Sequence, residues 1–137
     1  MSGNIDRRAV LRGSGIGACT LALAACTTDR GEPEAADPEA GVVLLQLSDL
    51  PVGSAKVVTT EDDAPVAVVR SGEKEVHAFS GVCTHQGCTI EAEKKQFQCP
   101  CHGSQFAFAD GSVQHGPAEQ PLPEIEVGIE NGAVVTR

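Results

Sequence analysis

Two six-residue stretches hold most of the reactive side chains of this protein. "CTHQGC" runs from Cys83 to Cys88 and, after ten intervening residues, "CPCHGS" runs from Cys99 to Ser104. Together they contain four of the six cysteines and two of the four histidines. Thiolate and imidazole are ligands for zinc, copper and iron, so each stretch offers two candidate ligands and one further cysteine. Gly87 and Gly103 stand near the ends of the stretches, where glycine lets a backbone bend tightly around a bound object. The plainest alternative is two disulfides with bystander histidines. It leaves unexplained why His85 follows Cys83 by two residues and His102 follows Cys99 by three.

Ligand chemistry ranks the metal sites such a set could build. A c-type haem wants Cys-x-x-Cys-His, but "CPCH" has one residue between its cysteines. A blue-copper site wants two His, one Cys and commonly an axial Met, and the single Met is the initiator. Zinc held by two Cys and two His has the right ligand count, yet its usual pairs put Cys with Cys and His with His, and two cysteines stay unused. A binuclear iron–sulfur centre with two Cys on one iron and two His on the other also needs four ligands. The two cysteines left over can then form one disulfide, and every residue is used.

Such loops need a frame. The chain has 137 residues, 41% hydrophobic and 21% charged, with 15 Gly, 8 Pro, four Phe and neither Trp nor Tyr. That composition suits one soluble domain with some chain left over, its core built from Val, Ile, Leu, Ala and Phe. From Gly41 onward, "VVLLQL", "KVVTT", "PVAVVR" and "VHAF" read as strands; "LPVGS", "EDDAP", "SGEKE", "ADGS" and "ENGA" read as turns. The end, "EIEVGIENGAVVTR", reads as a hairpin with Asn131-Gly132 at its turn. No helix-period stretch of useful length and no internal repeat follows residue 40. Residues 41–137 are therefore expected to be all-β, a small antiparallel sandwich or barrel that gains from a covalent or metal staple.

The N-terminus reads as an address. Arg7 and Arg8 precede an apolar run from Ile16 to Ala25 that ends at Cys26. The run is shorter than the ~20 residues of a spanning helix and has the three-part layout of an export signal. The arginine pair resembles a twin-arginine signal, and "LAAC" resembles a bacterial lipobox, whose Cys is lipidated. The alternatives are an attached N-terminal helix and an uncleaved anchor. On the signal reading residues 1–25 are removed, Cys19 with them, and the chain from Cys26 carries seven Lys/Arg against eighteen Asp/Glu. Residues 26–40, including "TTDRGEPEAADPEA", are an acidic flexible linker. A lipid on Cys26 would attach the head to a membrane. Net charge of -9 over the whole chain argues against nucleic acid as a partner. Twin-arginine export carries folded proteins, which suits a cluster assembled before export.

The pair C-x-H-x-G-C and C-P-C-H-G-S resembles the two-loop signature of Rieske [2Fe–2S] proteins of the bc type, over roughly Val42 to Arg137. The resemblance implies a two-loop cluster-binding subdomain and one [2Fe–2S] cluster per chain. Cys83 and Cys99 would bind the buried iron, and His85 and His102 the outer iron. It also implies a Cys88–Cys101 disulfide, closing a ring of about 14 residues worth ~3 kcal/mol in the chain-entropy model. Family members that pass electrons to dioxygenases usually lack this pair, which favours the bc-like branch.

The implied ligand set carries less negative charge than four thiolates, so it accepts an electron more readily, within roughly -150 to +300 mV. Ferric iron also favours loss of the far proton of a bound imidazole, which would make the midpoint potential fall at alkaline pH. Ser104 matches a family serine that bonds a cluster sulfide and raises the potential. Phe106 stands where the high-potential branch often has Tyr, so the potential is expected below the top of the range. "HGPAEQPLP" resembles the proline loop that covers the cluster, with Gly116 and Pro117 in matching places. Gln86 departs from the apolar residue that quinol-oxidising members often carry there, and "TIEAEKKQFQ" between the loops is short and polar.

His77 reads as a strand residue and His115 has no matched ligand role. The implied work is one-electron transfer between redox proteins at the outer face of the cell membrane. The alternative is the iron–sulfur subunit of a quinol–cytochrome c reductase, with a b-type cytochrome and quinol as partners. A structural zinc module is the distant third.

Overall fold

The computed structural model describes residues 38–137. Arg7, Arg8, Cys19 and Cys26, with the export and lipidation expectations resting on them, lie outside the described residues, as does most of the expected linker. Among the described residues, eleven short strands make three antiparallel sheets. β1 (Val43–Gln46), β11 (Ala133–Thr136) and β10 (Val127–Glu130) form the first sheet, with β11 in the middle. The second has the order β2 (Ser54–Thr59), β3 (Pro65–Gly72), β4 (Glu75–Ser80), β9 (Glu124–Ile125). The third is β5 (Glu91–Ala92), β6 (Gln96–Gln98), β7 (Gln105–Ala107), β8 (Val113–His115). The only helical element among the described residues is one 3-10 turn, Leu47–Asp49.

β3 decides how these sheets share a core. Its "VAVV" run is apolar at every position, as a strand covered on both faces must be, and side chains alternate between the faces. Val66 and Val68 join Leu45, Leu50, Ala78, Ile125 and Val134 in one apolar cluster. Ala67 and Val69 join Phe79, Ile90, Phe97, Phe106 and Leu122 in the other, and Cys83 and Cys99 are members of that second cluster. The two cysteines are thus walls of the core. Phe79 and Phe97 meet edge to face with ring centroids 6.3 Å apart, a favoured aromatic arrangement.

Two turns show how local chemistry fixes the frame. The Asn131-Gly132 hairpin has φ of 49° and 78°, the pair of positive values that a two-residue turn needs between twisted strands. Elsewhere the Arg70 guanidinium donates to four backbone carbonyls: Leu47 at 2.9 Å, Leu50 at 3.0 Å, Glu73 at 3.0 Å and Gly72 at 3.2 Å. It pins the 3-10 turn to the β3–β4 hairpin. Hydrogen bonds from a charged donor contribute about 1.5–3 kcal/mol each at most, so this cation is a structural tie between two sheets.

Candidate metal centre

β4 runs into the first cysteine loop, Cys83 to Cys88, and β6 runs into the second, Cys99 to Ser104. Both loops bend the same way. The backbone N–H of Cys83 donates to the Cys88 carbonyl at 2.8 Å, and that of Cys99 donates to the Ser104 carbonyl at 2.8 Å. Gly87 N–H closes back onto the Cys83 carbonyl at 2.9 Å, and Gly103 N–H onto the Cys99 carbonyl at 2.9 Å. These closures require φ of 78° at Gly87 and 79° at Gly103, which glycine adopts without the strain a Cβ would bring. Below the loops the flanks pair in the same register: Val82 with Thr89, and Gln98 with Gln105.

Each leading cysteine points inward. Cys83 and Cys99 are free thiols, 0% and 1% exposed. Burial pushes the Cys99 thiol above its ordinary value, and the Cys83 thiol hydrogen-bonded to it pushes the same way. A bound metal cation would stabilise such sulfurs as thiolates. The free thiols also remove the two-disulfide alternative. Cys88 and Cys101 form the single disulfide among the described residues, joining the last position of the first loop to the third position of the second.

The histidines lie outside the thiols. The His85 and His102 rings meet edge to face with centroids 4.9 Å apart, one ring from each loop. His102 is exposed and His85 half-buried. Nδ1 of His85 is buried and has no hydrogen-bond partner, an unfavourable state for a polar atom unless a metal takes its lone pair. Two buried thiols and two adjoining imidazoles, one with an orphaned buried nitrogen, are the donor set of a mixed sulfur–nitrogen metal cluster.

A third segment covers the loops. The Ser104 hydroxyl, fully buried, accepts the Ala118 N–H at 3.0 Å, and the Thr84 hydroxyl donates to the Gln120 carbonyl at 2.6 Å. Thus one hydrogen bond ties each cysteine loop to the segment that begins at Gly116 and Pro117, both exposed. Accepting from Ala118 leaves the Ser104 hydroxyl proton free to be donated. Phe106 is fully buried and pairs with Phe97 across β6 and β7, so it fills volume and donates nothing. Gln86 is exposed at the first loop's tip; His77 lies on β4, 3.4 Å from Glu75, and His115 is exposed on β8. Sequence reasoning missed the Thr84 tie, whose partners are 36 residues apart and carry no local signal.

An all-β head holding two inward thiols and two outward imidazoles on twin loops defines a class, the mixed-ligand iron–sulfur proteins. The comparisons narrow it. A family model for the Rieske [2Fe-2S] domain matches residues 41–126. The cytochrome b6-f complex iron-sulfur subunit of Chlorobaculum tepidum is 36% identical over 90 residues, 64% of this chain and 48% of that protein. That of Gloeobacter violaceus is 40% identical over 72 residues, 50% of this chain and 38% of its own. The plasma membrane Rieske protein PetC3 from Synechocystis PCC 6803 superposes with a TM-score of 0.60 at 30% identity, covering 70% of this chain and 98% of that one.

The chain belongs to the Rieske [2Fe–2S] family, and it carries the Cys88–Cys101 disulfide that the resemblance implied. Its cofactor is a [2Fe–2S] cluster. It spans about half the length of the first of these subunits and less of the second.

Proposed function

We infer that this protein is a one-electron carrier at the extracytoplasmic face of the cell membrane, its cluster held by Cys83, Cys99, His85 and His102. The single observation that carries the ligand assignment is the orphaned buried Nδ1 of His85, on a loop that also supplies the buried free thiol of Cys83. When bound, the cluster supplies reversible uptake of one electron at a potential above that of all-cysteine centres. The protein's own groups do the rest. Cys83 and Cys99 hold negative charge on the inner side, away from water. His102, being exposed, would hold the cluster on its solvent-facing side. Ser104 offers its hydroxyl proton to the site, and the disulfide joins the two loops.

Export directed by Arg7 and Arg8, lipidation at Cys26 and an acidic linker over 26–40 complete this reading. The arginine pair and "LAAC" support it. An acidic surface, six Lys/Arg against fourteen Asp/Glu over residues 38–137, suits a redox partner with a basic docking face.

The second reading makes the chain the iron–sulfur subunit of a quinol-oxidising complex with a b-type cytochrome. The names of the cytochrome b6-f relatives favour it; the polar Gln86 at the tip weighs against it. An EPR spectrum of the dithionite-reduced protein tests the ligand set: an average g below that of all-cysteine clusters is expected, and an all-cysteine spectrum overturns it. Mild detergent extraction separates the two functional readings, since only the second expects a b-type cytochrome to co-purify.

A further inference from the structure

The sulfur atoms of Cys88, Cys99 and Cys101 lie within 4.8 Å of one another. Two of them are already bonded as the disulfide, and the third is a free thiol. A thiolate next to a disulfide is a nucleophile next to its electrophile. We propose that in the cluster-free protein Cys99 attacks this disulfide and captures Cys88, so that the chain disables its own metal site. The inference rests on the reading of Cys99 as a cluster ligand, because only then does capture remove a ligand.

The step balances within one molecule. Cys99 Sγ gives its proton to water and forms a bond to Cys88 Sγ; the Cys88–Cys101 bond breaks, and its electron pair leaves on Cys101 Sγ, which takes a proton from water. No oxidant or reductant is consumed. The direction follows from surroundings. Cys101 is exposed, so water solvates it as a leaving thiolate. Cys88 is half-buried and packs against the same apolar cluster that contains Cys99. Attack on Cys101 would instead expel a thiolate into that apolar edge, where charge is disfavoured. The product has a Cys88–Cys99 link, a free Cys101 and one thiol ligand in place of two. Loading therefore has to precede closure of the disulfide, or hold Cys99 before exchange can occur.

The test uses the full chain, purified with its cluster and then stripped under anaerobic conditions by an iron chelator without reductant. Samples are alkylated with iodoacetamide over minutes to hours, the timescale of uncatalysed disulfide rearrangement, and linked peptides are mapped by mass spectrometry. Stripped protein is expected to show a Cys88–Cys99 link with Cys83 and Cys101 alkylated, while loaded protein keeps Cys88–Cys101. A stripped protein that keeps Cys88–Cys101, or links Cys99 to Cys101, overturns the proposal. Cys83→Ser is expected to exchange as the stripped protein does, and Cys99→Ser to retain Cys88–Cys101; exchange in Cys99→Ser refutes the assignment of the nucleophile. Iron and acid-labile sulfide in the purified wild type read the ligand assignment separately.

Discussion

The two cysteine loops are the same backbone carrying different side chains. Counting from each leading cysteine, the sixth residue receives that cysteine's N–H and the fifth is a glycine at φ near 78°. The eighth, Ile90 or Phe106, is buried at the base. The side chains differ in between. The third residue is His85 in one loop and Cys101 in the other; the fourth is Gln86 and His102; the sixth is Cys88 and Ser104. A single turn geometry therefore presents a ligand at two heights, one imidazole half-covered and one exposed. The disulfide links a third position to a sixth, places that the twin turn brings near each other. Asymmetry at this centre comes from side-chain offset.

The comparison can be broken at several depths. The largest effect is expected at the equivalent leading positions: Cys83→Ser and Cys99→Ser should each abolish iron and acid-labile sulfide in the purified protein. Retention of a full cluster by either variant would show that the loops are not equivalent at their base. Next, the double change Cys88→Ser with Cys101→Ser should lower unfolding stability by about 3 kcal/mol, measured as a shifted urea midpoint. The sixth position then separates the loops. Ser104→Ala leaves the buried Ala118 N–H without its acceptor, an expected cost of about 1–3 kcal/mol, with a lower midpoint potential by film voltammetry.

The twin glycines give a matched pair of smaller effects. A Cβ at Gly103 meets nothing within 4 Å and one at Gly87 only Val82 at 4.0 Å, so each Ala variant should lose only the left-handed backbone preference, about 1–2 kcal/mol. Unequal losses in thermal unfolding would mean the turns are not mechanically alike. The smallest change concerns the eighth position. Phe106→Tyr adds one hydroxyl near the second loop and should raise the potential; a fall or no change counts against Phe106 as a determinant of the potential.

Much of this site was legible because its chemistry is carried by residue type. Cys83, His85, Cys99 and His102 announce ligands whatever the fold, and the long strands with continuous or alternating apolar runs, β3 above all, declared themselves. The β5–β8 sheet did not. Its strands are two or three residues long, as in "QFQ" and "QFA", too short for a period to register. Arg70 was silent for another reason: its partners are backbone carbonyls, which no sequence pattern marks. The common register of the loops was hidden because the histidines are offset by one position, which makes equal turns look unlike.

Cys83 and Cys99 belong to the apolar interior that also contains Ala67 and Val69 of β3. A cluster held by these two cysteines is therefore anchored directly to the core of the molecule. Bleaching of the cluster and melting of the sheet should then occur together on heating, as one cooperative event.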